Sequence, residues 1–363
     1  MRVVVDALAA TTRGGGLGTY VRGLLAGWGQ AAPEDELTVL LTRPFGDQVA
    51  ADSRCHRLIL CSERNPRVGW RVVRSETLLP RLQSNADALL STITSIPIAW
   101  RKPAVAVVHD LRHEDRPADF SRLQLALRRA QFGAAYRRVE RLVANSDRTA
   151  QVLRQRHPET SSRIRVAYLG ADHVPLRMSS REGDLVALGH YSNKDPSLLL
   201  RVWHVLLLSA DRPAHRLHIV GLSDSQRDRL AREASRLGVA GSVTLDPYLD
   251  ASQFGDLMGA AAALLLPSRY EGFGLPVVEA MRQGVPIMIS PDPALREVAA
   301  GHAACAASWA PEDLAAATQR ALQMSGGEVV AAQRHSDRFT WKRAAELTRA
   351  SVRAAVLNDH SDE

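Results

Sequence analysis

The sequence contains little cysteine and no long hydrophobic run. Its three cysteines, Cys55, Cys61 and Cys305, are unclustered, so they offer neither a disulfide framework nor metal-ligand spacing and are expected to be reduced thiols of a cytosolic protein. No window reaches the roughly 20 apolar residues of a membrane-spanning helix. The apolar start Val3–Val5 is short and is followed by Asp6, which is unlike a targeting segment.

Aromatic residues are also scarce, at 5% of the chain, and no nucleic-acid-binding motif is recognisable. Aromatic stacking is a main source of binding to single-stranded nucleic acid. A nucleic-acid-binding function is therefore the weaker hypothesis for the basic charge of this chain. That charge is uneven: the stretch through Ser180 holds 27 basic and 17 acidic residues, against 19 and 22 in the remainder. The basic half is consistent with binding to an anionic acceptor or to a membrane surface. Alternatively, the composition is simply rich in arginine, and these residues only supply charge on solvated helix faces.

The 363 residues, 45% of them hydrophobic, favour two globular domains, because single cores stop growing at roughly 250–300 residues. Short β-branched runs alternate with helical stretches from end to end, which predicts parallel sheets covered by helices on both faces. The predicted strands are Arg2–Val5, Leu37–Leu41, Arg57–Leu60, Ala88–Leu90, Val105–Val108, Leu142–Ala144, Ile164–Ala167, Leu185–Leu188, Leu217–Val220, Val243–Leu245, Ala263–Leu266 and Pro286–Ile289. A polar, non-periodic stretch between His173 and Asp184 separates the two series.

The strongest signal for chemistry is the segment 267–286, which follows an apolar strand and opens a helix. Glycines let the backbone approach a ligand, and the amides of Gly274 and Leu275 at a helix start form a site for a diphosphate. Glu271 precedes this turn and Glu279 lies a full turn inside the helix. One carboxylate can therefore reach sugar hydroxyls while the other reaches ribose hydroxyls.

Two glutamates separated by seven residues, in the context Glu-Gly-Phe-Gly-Leu-Pro-Val-Val-Glu-Ala, resemble the signature of family 4 retaining glycosyltransferases. The resemblance implies an α/β GT-B fold, with two Rossmann-like domains facing each other across a cleft. It further implies residues 1–175 as the acceptor-binding domain, 176–340 as the nucleotide-sugar-binding domain and 341–363 as a helix that crosses back to the first domain.

The same resemblance implies a donor site and a reaction. Glu271, with Gly272 and Phe273, would bind the transferred sugar, and Glu279 would bind the ribose. The expected reaction moves a sugar from a nucleoside-diphosphate sugar to an acceptor hydroxyl with retention of configuration. A carbohydrate, a lipid-linked compound and a small metabolite all remain open as the acceptor, and uracil, guanine and thymine remain open as the base.

A glycine-rich loop, Arg13-Gly-Gly-Gly-Leu-Gly-Thr-Tyr20, follows the first predicted strand. Alone it indicates a phosphate-like ligand or a ligand-free tight turn, and no acidic residue ends the second strand as a dinucleotide site would require. The family resemblance assigns Gly15 and Gly16 to the donor diphosphate.

His109 and Asp110 follow the predicted strand Val105–Val108. A histidine at a strand's carboxyl end can hydrogen-bond sugar or acceptor hydroxyls as a neutral ring, although a lone histidine is more often structural. The resemblance makes His109 a catalytic and acceptor-binding residue and places Asp110 beside the acceptor.

Lys194 follows the first strand of the second half, where the family has cations that neutralise the leaving diphosphate. His190 stands where the family usually has arginine. Either His190 helps when protonated, or another arginine such as Arg269 substitutes. By the same resemblance, Tyr248 and Leu249 lie beside the nucleotide base.

Lys194, Glu271 and His109 are thus the expected catalytic residues. No Asp-x-Asp motif is present, so neither a metal nor a cofactor is expected; scattered acids such as Asp292 are interpreted as solvated. A cytoplasmic location is expected, with the inner face of the membrane as an alternative. Two rival functions remain: a sugar-nucleotide 2-epimerase of the same fold and a non-catalytic partner subunit.

Overall fold

A computed structural model describes residues 1–11, 15–52, 56–61, 68–190 and 192–357. The chain divides into two compact units. The first comprises Met1–His173 together with Phe339–Glu363, and the second comprises Val174–Arg338. These borders lie two residues before those expected from the sequence.

The first unit alternates strands and helices along the chain. Its elements are β1 (Arg2–Asp6), α1 (Gly16–Ala31), β2 (Glu36–Thr42), α2 (Arg43–Asp52), β3 (His56–Cys61), α3 (Val68–Leu82), β4 (Ala88–Ser91), β5 (Ala104–Val108), α4 (Arg112–Asp115), α5 (Arg122–Arg138), β6 (Arg141–Ala144), α6 (Asp147–Arg156) and β7 (Ile164–Val166). Each strand predicted in this half is confirmed, with its ends shifted by at most a residue or two.

Within the described residues, these strands form one parallel sheet in the order β3-β2-β1-β4-β5-β6-β7. Val3 of β1, for example, lies opposite Leu37 of β2 on one side and Ala88 of β4 on the other. The central strands β4, β5 and β6 are buried along their whole length, as expected for a sheet that helices cover on both faces.

The second unit repeats this organisation. Its elements are β8 (Leu185–Leu188), α7 (Pro196–Leu208), β9 (Leu217–Val220), α8 (Asp224–Arg236), β10 (Val243–Leu245), α9 (Ala251–Ala260), β11 (Ala263–Leu266), α10 (Leu275–Arg282), β12 (Ile287–Ile289), α11 (Pro293–Ala299), β13 (Ala304–Cys305), α12 (Pro311–Leu322) and α13 (Gly326–Ser336). The strands described there form a parallel sheet in the order β10-β9-β8-β11-β12-β13.

The last helix, α14 (Trp341–Leu357), packs against α1 in the first unit. This contact confirms the expectation of a C-terminal helix that crosses back. Arg349 of α14 donates from Nε to Asp35 Oδ2 at 2.6 Å, and Trp28 Nε1 of α1 donates to the same carboxylate oxygen at 3.0 Å. Two glycines of α1, Gly23 and Gly27, make room for the close approach, because a Cβ on either would overlap Trp341.

None of the described helices is long and apolar enough to span a membrane.

Candidate functional site

Lys194 and Glu271 form a buried ion pair at the carboxyl ends of two adjacent strands, β8 and β11. Lys194 Nζ lies 2.7 Å from Glu271 Oε1, and the two side chains are 6% and 13% exposed. An ammonium has three donors, so Lys194 can keep this carboxylate and still contact a phosphate. Two residues predicted separately for the donor are therefore brought together.

Asn193, which the sequence did not single out, joins the same two loops. Its Nδ2 donates to Tyr270 O at 2.9 Å and to Glu271 Oε1 at 3.2 Å. Arg269 N donates to Asn193 O at 2.8 Å. The carboxylate of Glu271 is thus oriented by a cation and an amide, and its position is set by both loops.

Arg269, the substitute cation suggested by the sequence, is paired with Asp195. Its Nε donates to Asp195 Oδ2 at 3.0 Å. Asp195 has φ of 44° and caps α7 by accepting from Leu198 N at 3.1 Å. A non-glycine residue with positive φ is strained and needs support from its surroundings. Arg269 therefore helps to hold the turn that follows Lys194.

His190 packs against Gly221, whose φ is +90° and whose missing Cβ would lie 3.1 Å from that of His190. Burial lowers the pKa of His190 to about 4, with the nearby charge of Lys194 acting in the same direction. The ring is consequently neutral at pH 7. In this structure it can donate or accept a hydrogen bond but does not supply the second positive charge.

The helix α10 begins at the predicted diphosphate turn. Gly274 has φ of 98° and precedes the helix without a side-chain cap, and a Cβ there would overlap Leu295. A helix start without a capping side chain presents backbone N–H groups to an anion. Phe273 is buried beside this turn, and Glu279 lies partly exposed in the second turn of the helix.

Asp292 is buried, which corrects the interpretation of this residue as a solvated acid. It is 4% exposed and accepts from Glu271 N at 3.2 Å, as well as from Ala294 N and Leu295 N at 3.0 and 3.1 Å. Burial raises its pKa to about 6. The signal was present in the sequence, since aspartate before proline is typical of a helix N-cap; what could not be read there is that it also holds Glu271.

Tyr248 and Leu249 lie between β10 and α9, at an edge of the second sheet. Tyr248 is 54% exposed. A backbone hydrogen bond joins the segment that carries Tyr248 and Leu249 to the end of β9: Gly221 N donates to Pro247 O at 3.1 Å. Gly221 also contacts His190, so this edge is connected to the loop after β8.

In the first unit, α1 begins at the glycine loop. Gly15 has φ of 99° and precedes α1 with no side-chain cap, and Gly16 is the first helical residue. Arg13 and Gly14 of the predicted loop lie outside the described ranges.

His109 follows β5 and is held in one orientation. Its Nε2 lies 2.8 Å from Thr92 O, so Nε2 carries the hydrogen and Nδ1 is left as an acceptor. Tyr20 of α1 contacts the ring edge-to-face with 4.8 Å between centroids. Burial lowers the pKa of His109, which keeps the ring neutral. Asp110, its neighbour, accepts from Arg112 N at 2.9 Å.

Across the described residues, no group of three or more His, Cys, Asp or Glu side chains is arranged to hold a metal ion.

Two family models match the chain in succession. Residues 14–174 match "Glycosyltransferase Family 4", and residues 176–336 match "Glycosyl transferases group 1". The resemblance seen in the glutamate motif is thereby confirmed for nearly the whole chain.

Similar curated proteins are D-inositol 3-phosphate glycosyltransferases. That of Segniliparus rotundus is 28% identical over 242 residues, which cover 60% of this chain and 53% of the relative. That of Streptomyces griseus subsp. griseus is 33% identical over 183 residues, which cover 46% and 38%. The chain spans about half the length of the first of these relatives and less of the second.

Similar solved structures cover nearly the whole chain. Anabaena HepE in complex with UDP-glucose has a TM-score of 0.73 at 16% identity and covers 98% of this chain and 100% of that one. WaaG, a glycosyltransferase involved in lipopolysaccharide biosynthesis, has a TM-score of 0.70 at 15% identity, with coverages of 97% and 98%. At such low identity these matches establish the fold, and they confirm the expected GT-B class.

Proposed function

Because the chain belongs to the group 1 glycosyl transferases, we propose that it transfers a sugar from a nucleoside-diphosphate sugar to an acceptor hydroxyl. We further propose that configuration is retained and that no metal takes part. The observation that carries the proposal is the buried pair of Lys194 and Glu271 beside the start of α10.

The donor occupies the carboxyl edge of the second sheet in this proposal. Its diphosphate binds Lys194, His190 and the amides of Gly274 and Leu275. Glu271, Gly272 and Phe273 bind the sugar. Glu279 binds the ribose, and Tyr248 and Leu249 lie beside the base. The neutral ring of His190 serves as a hydrogen-bond partner rather than as a charge.

Departure of the diphosphate leaves negative charge on its oxygens and oxocarbenium character on the sugar. A preorganised hydrogen-bond donor at such a charge lowers the activation free energy by roughly 3 kcal/mol. Lys194 and the dipole of α10 supply this stabilisation. Among the residues assigned to the sugar, Glu271 is held by Lys194 and Asn193, which favours a binding role over nucleophilic attack. The acceptor hydroxyl then attacks from the face that the diphosphate leaves, and its proton passes to an oxygen of the departing diphosphate.

His109 and Asp110 contact the acceptor in this proposal. The orientation of His109 supports the assignment, because Thr92 O fixes the hydrogen on Nε2 and leaves Nδ1 able to accept from an acceptor hydroxyl.

The acceptor is proposed to be anionic or membrane-associated. The support is α5, which exposes Arg122, Arg128 and Arg129 together with Leu123 and Leu127, the two leucines at 70% and 45%. Basic residues interleaved with exposed leucines favour an anionic surface.

The donor assignment is tested by thermal shift with UDP-, GDP- and dTDP-sugars, since a ligand stabilises the folded state by mass action. We expect one nucleotide class to raise the melting temperature, and Glu279→Ala to weaken that donor's binding. Glu182→Ala, an exposed glutamate of the same unit, is the matched control.

The catalytic assignment is tested by turnover. Lys194→Ala is expected mainly to lower kcat. It also leaves the buried carboxylate of Glu271 without its cation, a loss that costs about 3–5 kcal/mol. Lys194→Gln retains a hydrogen-bond donor toward Glu271, so comparing the two variants separates the loss of positive charge from the loss of that partner. Wild-type donor affinity in Glu279→Ala would contradict the ribose assignment. Epimerised nucleotide sugar formed without nucleotide release would identify a 2-epimerase instead.

A further inference from the structure

The peptide bond between Tyr270 and Glu271 is held on both of its edges. Asn193 Nδ2, on the loop after β8, donates to Tyr270 O at 2.9 Å. Asp292 Oδ2, after β12, accepts from Glu271 N at 3.2 Å. A peptide unit is planar and rigid, so two contacts on opposite edges restrict the direction in which the side chain of Glu271 leaves it. The position of this carboxylate therefore depends on Asp292 as well as on the ion pair with the lysine.

The two carboxylate oxygens of Asp292 have separate partners. Oδ1 accepts from Ala294 N and Leu295 N at 3.0 and 3.1 Å and so caps α11. Oδ2 accepts from Glu271 N. A proton would be taken up by Oδ2, which has fewer N–H donors, and a hydrogen bond to a charged acceptor is roughly twice as strong as one to a neutral acceptor. Protonation thus weakens the contact with Glu271 and leaves the helix cap in place.

The start of the same loop is fixed by other contacts. Ser268 O accepts from Ser290 Oγ at 2.6 Å and from Trp309 Nε1 at 3.1 Å. Neither contact involves Asp292, so the loop stays attached to β12 when that carboxylate changes. The effect of Asp292 is therefore confined to the peptide before Glu271.

The protonation state of Asp292 changes nearer to neutral pH than that of an ordinary aspartate, whose pKa is about 3.9. Burial raises the pKa of Asp292 to about 6; the N–H of Leu295 opposes this and the carboxylate of Glu271 adds to it. The N–H groups of Glu271 and Ala294 also oppose it. Across the described residues, Glu271 is the charged group that acts on Asp292 from the loop after β11, and Lys194 pairs with that glutamate. Asp292 is thus ionised above about pH 6 and protonated below it.

We propose that Asp292 is a positioning residue for the sugar of the donor, and that its protonation releases the peptide before Glu271 and weakens sugar binding. The inference rests on the proposed function, because it takes Glu271 as the residue that binds the transferred sugar. It adds a pH dependence that belongs to the sugar and not to the nucleotide, since the diphosphate is assigned to Lys194 and to the start of α10.

The first measurement is the amide signal of Glu271 in TROSY spectra of the full chain labelled with ¹⁵N-glutamate, recorded against pH without nucleotide. Its loss in Glu271→Gln assigns the signal. We expect a titration with a midpoint near pH 6 in the wild type and none there in Asp292→Asn. Asparagine keeps an oxygen for the cap of α11 but turns an NH₂ group toward Glu271 N. Asparagine and aspartate are equally good N-caps, so this variant folds.

The second measurement is the ratio of the affinities for a nucleotide sugar and its nucleoside diphosphate, obtained by calorimetry. The pairs are UDP-glucose and UDP, GDP-mannose and GDP, or dTDP-glucose and dTDP, whichever class raises the melting temperature. Loss of one hydrogen bond to a charged acceptor is expected to lower this ratio about tenfold in Asp292→Asn at neutral pH. In the wild type it should fall about fivefold from one unit above the midpoint to one unit below it. The ratio cancels the effect of pH on the diphosphate contacts.

Asp184→Asn is the matched control, because Asp184 also accepts a backbone N–H from a neighbouring segment, that of Arg216 at 2.8 Å. This contact lies at the amino ends of β8 and β9, away from the proposed donor site. The control should behave as the wild type in both measurements. A Glu271 amide that does not titrate, or an affinity ratio equal in Asp292→Asn and the wild type, would overturn the proposal. If the wild type binds none of the nucleotides, the proposed function fails, while the amide titration still decides whether Asp292 holds Glu271.

Discussion

His190 and Lys194 lie on one loop after β8, and burial affects their charges differently. Lys194 is compensated by Glu271 at 2.7 Å, whereas burial and the charge of Lys194 hold the pKa of His190 at about 4. The folded pKa of His190 is thus below its ordinary value of about 6.5. As pH falls through this interval the unfolded chain takes up the proton first, so the free energy of unfolding decreases toward pH 4.

We predict that a nucleoside diphosphate raises the pKa of His190, because negative charge beside the ring stabilises its protonated form. The measurement is the histidine Cε1–H chemical shift as a function of pH, with and without UDP, the resonance being assigned by its loss in His190→Gln. If UDP stabilises the protein in a thermal shift but leaves this titration unchanged, His190 does not lie at the diphosphate.

The sequence predicted Lys194 and Glu271 as separate donor residues but not as an ion pair. They are 77 positions apart, and only the pairing of β8 with β11 brings them together. Asn193 and Asp292 were missed as parts of the site for the same reason. Their hydrogen bonds to Glu271 span 78 and 21 positions, and no local motif encodes such contacts.

At the scale of elements, the packing of α1 against α14 depends on glycines. Gly27→Ala is expected to destabilise the protein, because its Cβ would overlap the backbone of Trp341; overpacking of this kind costs about 1–3 kcal/mol.

Gly29→Ala on the same helix is the control for that prediction. No atom lies within 4 Å of its added Cβ, so it should stabilise by up to roughly 1 kcal/mol through helix propensity. Melting followed by circular dichroism compares the two variants. Equal melting temperatures for Gly27→Ala and Gly29→Ala would show that α14 does not constrain α1 there.

Element prediction from the sequence was good for strands and weaker for helices. The sequence also predicts a helix over Ser121–Arg141. The helix in the structure is shorter, because Ser121 forms a capping box with Gln124 and Arg141 begins β6. The helices α2, α4, α11 and α13 and the two-residue strand β13 were not predicted. Buried parallel strands are continuous apolar runs, which are easy to recognise in a sequence. A short surface helix has a weaker hydrophobic periodicity, which is hard to distinguish from that of a loop.

At the scale of the whole molecule, the uneven charge is the basis of a further prediction. The full chain should sediment with anionic phosphatidylglycerol vesicles and not with phosphatidylcholine vesicles, and added salt should release it, since screening acts within about 10 Å at 0.1 M. The doubly substituted variant Arg122→Glu, Leu123→Ser should bind less.

Leu208→Ser is the control for this variant, since Leu208 is 74% exposed on the second unit, compared with 70% for Leu123 on the first. Equal sedimentation with both vesicle types would refute a charge-directed membrane contact.

The sequence by itself determined the α/β class, the succession of strands along the chain and the family signature around Glu271 and Glu279. These properties arise from local patterns: apolar runs, glycine turns and residue spacing. Only the tertiary structure decided that Lys194 neutralises Glu271 and that His190 is uncharged. The physical reason is that charge state and hydrogen bonding depend on burial and on partners far away along the chain.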